Sequence, residues 1–133
     1  MSAERYRHLR SSVSALTYHF VWCPKYRRKV LLDAVAQRLA ALLRERATAL
    51  TCEIIALELM PDHVHLCLTS PPTLVPQHIV NQMKGYTARV LRADFPHLRS
   101  RLPSLWSRSY YVRSTGAVSA DTTAHYIAQQ QAS

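Results

Sequence analysis

The chain has 133 residues, 48% of them hydrophobic, and sets 17 basic against 8 acidic side chains for a formal charge of +9. This length suits one domain, residues 1–133, around one core. No window reaches the roughly 18 consecutive apolar residues that a membrane span requires, and the polar start Met1–Arg7 lacks a signal core, so a soluble cytoplasmic protein is expected.

The positive charge calls for an anionic partner. Fourteen of the 17 basic residues are arginine, which grips phosphate with two parallel hydrogen bonds and stacks on bases, so nucleic acid leads over an anionic membrane. Cys23, Cys52 and Cys67 are odd in number and lack C-x-x-C spacing, which argues against a disulfide framework or a zinc knuckle.

In chain order, residues 1–13 read as a polar, basic lead-in. Ala15 to Cys23 reads as a strand with Tyr18, Phe20 and Trp22 on one face and His19 and Val21 on the other. Pro24 favours its end. Lys25, Arg27, Arg28 and Lys29 surround Tyr26, a composition suited to phosphate contact and base stacking, or simply to a solvated turn. Asp33 can cap a helix running to about Leu50, with Val35, Leu39, Leu42, Leu43 and Leu50 as its apolar stripe.

Thr51–Met60 and His63–Thr69 are two further strands, and only Pro61-Asp62 separates them, which predicts an antiparallel hairpin. Val75, Ile79, Met83 and Val90 then show helical spacing as far as Asp94. Lys84, Arg89 and Arg92 make the polar side of that helix basic, and Gly85 inside it suggests close packing or a ligand's approach, or a tolerated weak point.

His97–Arg108 reads as a nucleic-acid-facing loop in which Trp106 also suits the core. Ser109–Ser114 reads as a fourth strand, and Ser119 opens a final helix. The order βαββαβα predicts an α+β fold, a ferredoxin-like or RRM-like antiparallel sheet with helices on one face.

The chemistry concentrates in two places. His63 and His65, one residue apart on a strand, share a face and can share a metal as surface ligands. Cys67 continues that face, so a His-x-His-x-Cys zinc site is an alternative. Asp62 adjoins the pair, either positioning a ligand from behind or only shaping the turn. Tyr126 and Gln130 stand four apart on the final helix, which puts a phenol beside a carboxamide.

Together His63-Val64-His65 and Tyr126-Ile127-Ala128-Gln129-Gln130 resemble the HUH single-tyrosine transposases, the TnpA type of small bacterial insertion sequences. Tyr18–Arg27, Met60–His65, Lys84-Gly85 and Leu105–Tyr110 extend the resemblance over nearly the whole chain. It implies a DNA transposase that cuts and rejoins single-stranded DNA at element ends through a 5′-phosphotyrosine on Tyr126.

The resemblance also implies Mg2+ or Mn2+ held by His63, His65 and Gln130, subterminal DNA hairpins as partners, and nucleoid association in use. A homodimer is expected, and Gly116 is either a hinge for the tyrosine helix or part of an ordinary strand-to-helix turn. Lys25, Arg27, Arg28, Lys29, Lys84, Arg89 and Arg92 are the expected DNA contacts.

Two other readings remain. A domesticated relative would nick or bind repetitive DNA without moving an element. A noncatalytic RRM-like module would stack bases on its aromatics, but the chain lacks that module's glycine- and aromatic-rich motif. A phosphoesterase with two His-x-Ser/Thr motifs is excluded, because none of the seven histidines has Ser or Thr two places on.

Overall fold

The computed structural model describes residues 15–116. Within them lie β1 (Leu16–Trp22), a 3-10 turn (Lys25–Arg27), α1 (Asp33–Ala49), β2 (Glu53–Met60), β3 (His63–Ser70), α2 (Pro76–Asp94), the short α3 (His97–Ser100) and β4 (Tyr111–Gly116). The four strands form one antiparallel sheet in the order β2-β3-β1-β4. This is the ferredoxin-like arrangement expected from the sequence. The predicted final helix, with Tyr126 and Gln130, lies outside the described residues.

Period-two alternation gives the sheet two unlike faces. Tyr18, Phe20 and Trp22 of β1 and Val64, Leu66 and Leu68 of β3 point to one side and are buried. They meet Val35, Leu39, Leu42, Leu43 and Ala47 of α1 and Ile79, Val80, Met83 and Leu91 of α2 in a single core cluster. His19, His63, His65 and Cys67 project from the opposite, outward face. β3 lies between β2 and β1, and its residues from Val64 to Ser70 are buried on both faces.

The β2–β3 ladder contains one irregularity with large consequences. Ile54 pairs with Leu68, but Ala56 pairs with Cys67, so Ile55 is an extra, bulged residue. One inserted residue inverts the facing of everything beyond it. Leu57 and Leu59 therefore turn toward the core, opposite Leu66 and Val64, while Glu58 turns outward opposite His65.

Several local expectations are revised. Asp33 does not cap α1: the flanking residue is Leu32, and no side chain bonds the helix start. Asp33 instead lies in the first turn, where its charge complements the helix dipole. The helix stops where Thr51 takes φ 63° and the Thr51 and Cys52 amides bond back to Thr48 and Ala47, a Schellman closure. β4 begins at Tyr111 and includes Gly116, so that glycine ends a strand and does not simply follow one.

The 97–108 segment is more anchored than a nucleic-acid loop would need to be. Leu98, Leu102, Leu105 and Trp106 are buried, while Arg99, Arg101 and Arg108 are exposed. Trp106 packs edge-on against Trp22 at 5.9 Å and donates its indole N–H to Thr87 Oγ1 at 3.1 Å, which settles it in the core. Backbone bonds Lys25 N to Leu105 O and Ser107 N to Cys23 O tie the segment to the end of β1.

Gly85 lies exposed in α2, and a Cβ added there would meet no heavy atom within 4 Å. Close packing is not the reason for it. Gly85→Ala should therefore stabilise the protein by roughly 0.5–1 kcal/mol, through helix propensity and a less flexible unfolded chain. A raised denaturant midpoint is the check; a lowered one would show that the glycine backbone is needed.

Candidate active site

The paired histidines stand at the start of β3, where the two-residue Pro61-Asp62 connection turns the chain back from β2. Their rings lie edge to face, 4.8 Å apart between centroids. The outward face grades from open to closed along β3: Met60, opposite His63, is exposed, His63 is half-buried, His65 is 7% exposed and Cys67 is fully buried. His65 is thus not the open surface ligand that alternation alone suggests. His19 continues the row, its ring 5.7 Å from His65.

Asp62 is more than a turn residue. Its carboxylate Oδ1 lies 2.7 Å from His63 Nδ1, and its Oδ2 accepts from Arg27 at 3.2 Å. The hydrogen bond to His63, with the charges of His63 and Arg27 adding to it, holds the Asp62 carboxyl below the usual carboxylate range against a smaller opposing push from burial. An ionised carboxylate only accepts, so His63 Nδ1 donates to it, which leaves Nε2 as the ring nitrogen pointing away from Asp62. That is the arrangement by which a carboxylate orients a metal-binding imidazole.

Burial, with His63 and His19 adding to it, pulls His65 down to about 4, so its ring is neutral near pH 7 and needs to lose no proton to bind a cation. Its buried Nδ1 has no hydrogen-bond partner among the described residues. Glu58, directly across from His65 on β2, likewise has a buried Oε2 without a partner among the described residues. Orphaned donors and acceptors of this kind are costly unless something else engages them.

These features fit a divalent cation on the outward face at His63 and His65. Among the described residues, no three of His, Cys, Asp and Glu stand close enough to hold a metal together. This removes the zinc alternative through Cys67, which lies two residues further along the strand at the closed end of the face. Gln130, the expected oxygen ligand, lies outside the described residues.

The expected DNA contacts divide into different groups. Arg27, Arg28 and Lys29 are exposed on the turn beside Asp62, and Lys25 places its ammonium 5.5 Å from the centre of the exposed Tyr26 ring. The turn is built from left-handed backbone at Tyr26 (φ 60°) and Arg27 (φ 51°) and is held by Leu31 N bonding Pro61 O. Basic charge therefore sits at the edge of the histidine site.

Lys84 is used differently: its ammonium donates to the carbonyls of Ser107, Arg108 and Ser109 at 2.7, 3.3 and 3.4 Å. Its three N–H donors thus have acceptors within the protein, which makes it a strut for the segment before β4 and not a phosphate contact. Arg89 and Arg92 are on the helical side, with Arg99, around a depression of about 400 Å³. They are separated from the histidines by the thickness of the sheet.

Sequence reasoning missed Glu58 and Tyr111. The bulge at Ile55 controls the facing of Glu58, and Tyr111 stands outward because Val112 pairs with the core residue Phe20. The alternation of β4 could have found Tyr111, whereas nothing in the sequence marks the bulge.

A family model described as an IS200-like transposase matches residues 12–130. The ISDra2 transposase TnpA of Deinococcus radiodurans is 37% identical over 123 residues, which are 91% of this chain and 88% of that one. A crystal structure of a candidate transposase from Deinococcus radiodurans superposes with a TM-score of 0.72 at 41% identity, covering 90% of this chain and 91% of that one. The structure of a REP-associated tyrosine transposase bound to a REP hairpin has the same fold, with a TM-score of 0.61 at 18% identity over 85% of this chain and 63% of its own. The chain belongs to the IS200-like transposase family.

If Asp62 orients His63, Asp62→Ala should weaken Mn2+ binding about 10- to 100-fold while the protein stays folded. Calorimetric titration with Mn2+ measures this, and an unchanged affinity would reduce Asp62 to a turn residue.

Proposed function

We propose that this transposase cuts and rejoins single-stranded DNA at the ends of an insertion sequence, with Tyr126 as nucleophile and His63, His65 and Gln130 as ligands of Mg2+ or Mn2+. The observation that carries it is the outward-facing pair His63 and His65, with His63 Nδ1 engaged by Asp62. A cation held there would polarise the scissile phosphate and offset its charge.

The chain's own groups have distinct tasks. The Tyr126 phenol oxygen, giving up its proton, forms a bond to phosphorus while the bond to the 3′ oxygen breaks and that oxygen leaves as a 3′-hydroxyl. The product is a 5′-phosphotyrosine, which keeps the phosphodiester's energy for rejoining. Arg27, Arg28 and Lys29 hold flanking phosphates at the edge of the histidine face. The fold relative bound to a REP hairpin supports hairpin DNA as the partner.

Incubating the protein with single-stranded oligonucleotides from the element's ends and Mg2+ should give a covalent adduct. Tyr126→Phe should abolish it and leave DNA binding nearly intact. An adduct that persists in this variant removes Tyr126 from the role.

Excision requires two cut ends and each chain offers one such tyrosine, so two chains act together. With Gly116 as the hinge, the tyrosine helix of one chain serves the histidines of the other. Mixing Tyr126→Phe chains with His63→Ala/His65→Ala chains should then restore adduct in the heterodimer. Heterodimers that form and bind DNA without making adduct would show that each chain completes its own site.

A further inference from the structure

We propose that Tyr111 is a stacking platform for a nucleobase, one that receives a base of the DNA strand whose phosphate lies at His63 and His65. The inference rests on the proposed single-strand activity and adds to it a specific subsite on β4.

The register places Tyr111 closely. His65 pairs with Val21, and Val21 pairs with Tyr111, so the tyrosine is two strands from His65 at the same height on the sheet. Two strand spacings amount to about 9–10 Å between backbones. Its neighbour Val112 pairs with the core residue Phe20, which directs Tyr111 to the outward face that carries the histidines.

Tyr111 is 52% exposed, at the open end of a face that is closed around His19 and Cys67. Among the described residues, its ring has no aromatic or cationic neighbour and its hydroxyl no hydrogen bond. An aromatic held on a strand has few conformations to lose when a flat ligand settles on it. The ligand that combines a flat π-surface with a phosphate at the histidines is a nucleotide in a single strand, since bases paired in a duplex keep their faces stacked on one another.

The other exposed aromatic near the site is Tyr26, which sits on the basic turn with Lys25 beside its ring. Its surroundings suit phosphate contact first. Tyr111 is set at the same level as His65 by continuous strand pairing, and so has the more fixed relation to the reacting phosphate.

The test uses the full-length protein and fluorescence anisotropy with a labelled 12-residue oligothymidine and its abasic counterpart. Tyr111→Ala should weaken oligothymidine binding roughly 5- to 150-fold, the effect of losing one stacked base, and leave binding of the abasic strand unchanged. Tyr111→Phe and Tyr111→Trp should keep wild-type affinity, because the π-face and not the hydroxyl is used. Mn2+ affinity and thermal unfolding should match wild type in all three variants.

Equal losses on both strands, or none, would overturn the proposal. So would a base-dependent loss in Tyr26→Ala in place of Tyr111→Ala, which would assign stacking to the turn. Wild-type protein that binds neither strand would overturn the single-strand reading as well.

Discussion

Everything the site can do depends on the facing of β3. As one of the two inner strands it buries Val64, Leu66 and Leu68 against the helices, and the two-residue period then forces His63 and His65 to the other side. The hydrophobic core thus acts as the positioning device for the histidines. A slip of one residue would put imidazoles into the core and leucines on the surface, so the energy that fixes the fold also fixes the ligand face.

The same constraint explains the bulge at Ile55. Without the extra residue, Leu57 and Leu59 would face outward and Glu58 would be forced among apolar side chains, where a carboxylate is expensive. With it, β2 gives its leucines to the core and its carboxyl to the histidine side. The Asp62 turn completes the edge, because a two-residue connection brings it next to both His63 and Arg27.

What was legible in the sequence was whatever obeys a simple period. The alternation in Tyr18-His19-Phe20-Val21-Trp22 and His63–Leu68 gave strand facing correctly, and the stripe Val35, Leu39, Leu42, Leu43 gave a core-covering helix. What escaped was set by tertiary partners. Lys84 looked like a phosphate contact until three carbonyls of a segment more than twenty residues away claimed its ammonium. Burial also lowers the lysine's pKa, in keeping with a strut more than a solvated probe. Of the readings open for Gly85, close packing falls, because a Cβ there would meet no heavy atom within 4 Å.

The distribution of charge bears on the order of events in the proposed reaction. The molecule as a whole attracts DNA, yet two carboxyl groups, Asp62 and Glu58, border the histidine pair. Asp62 is offset by Arg27 and by the His63 N–H, but Glu58 has no ion pair among the described residues. A phosphate brought to this spot alone would meet a like charge across a partly desolvated surface, where screening by water is weaker than in bulk. A divalent cation held by His63 and His65 would reverse the sign of that encounter, because it would attract the carboxylates and the phosphate together. On the proposed function, the arginine turn would govern capture of the strand, and His63 and His65 would hold the cation whose charge would let the captured phosphate settle beside them.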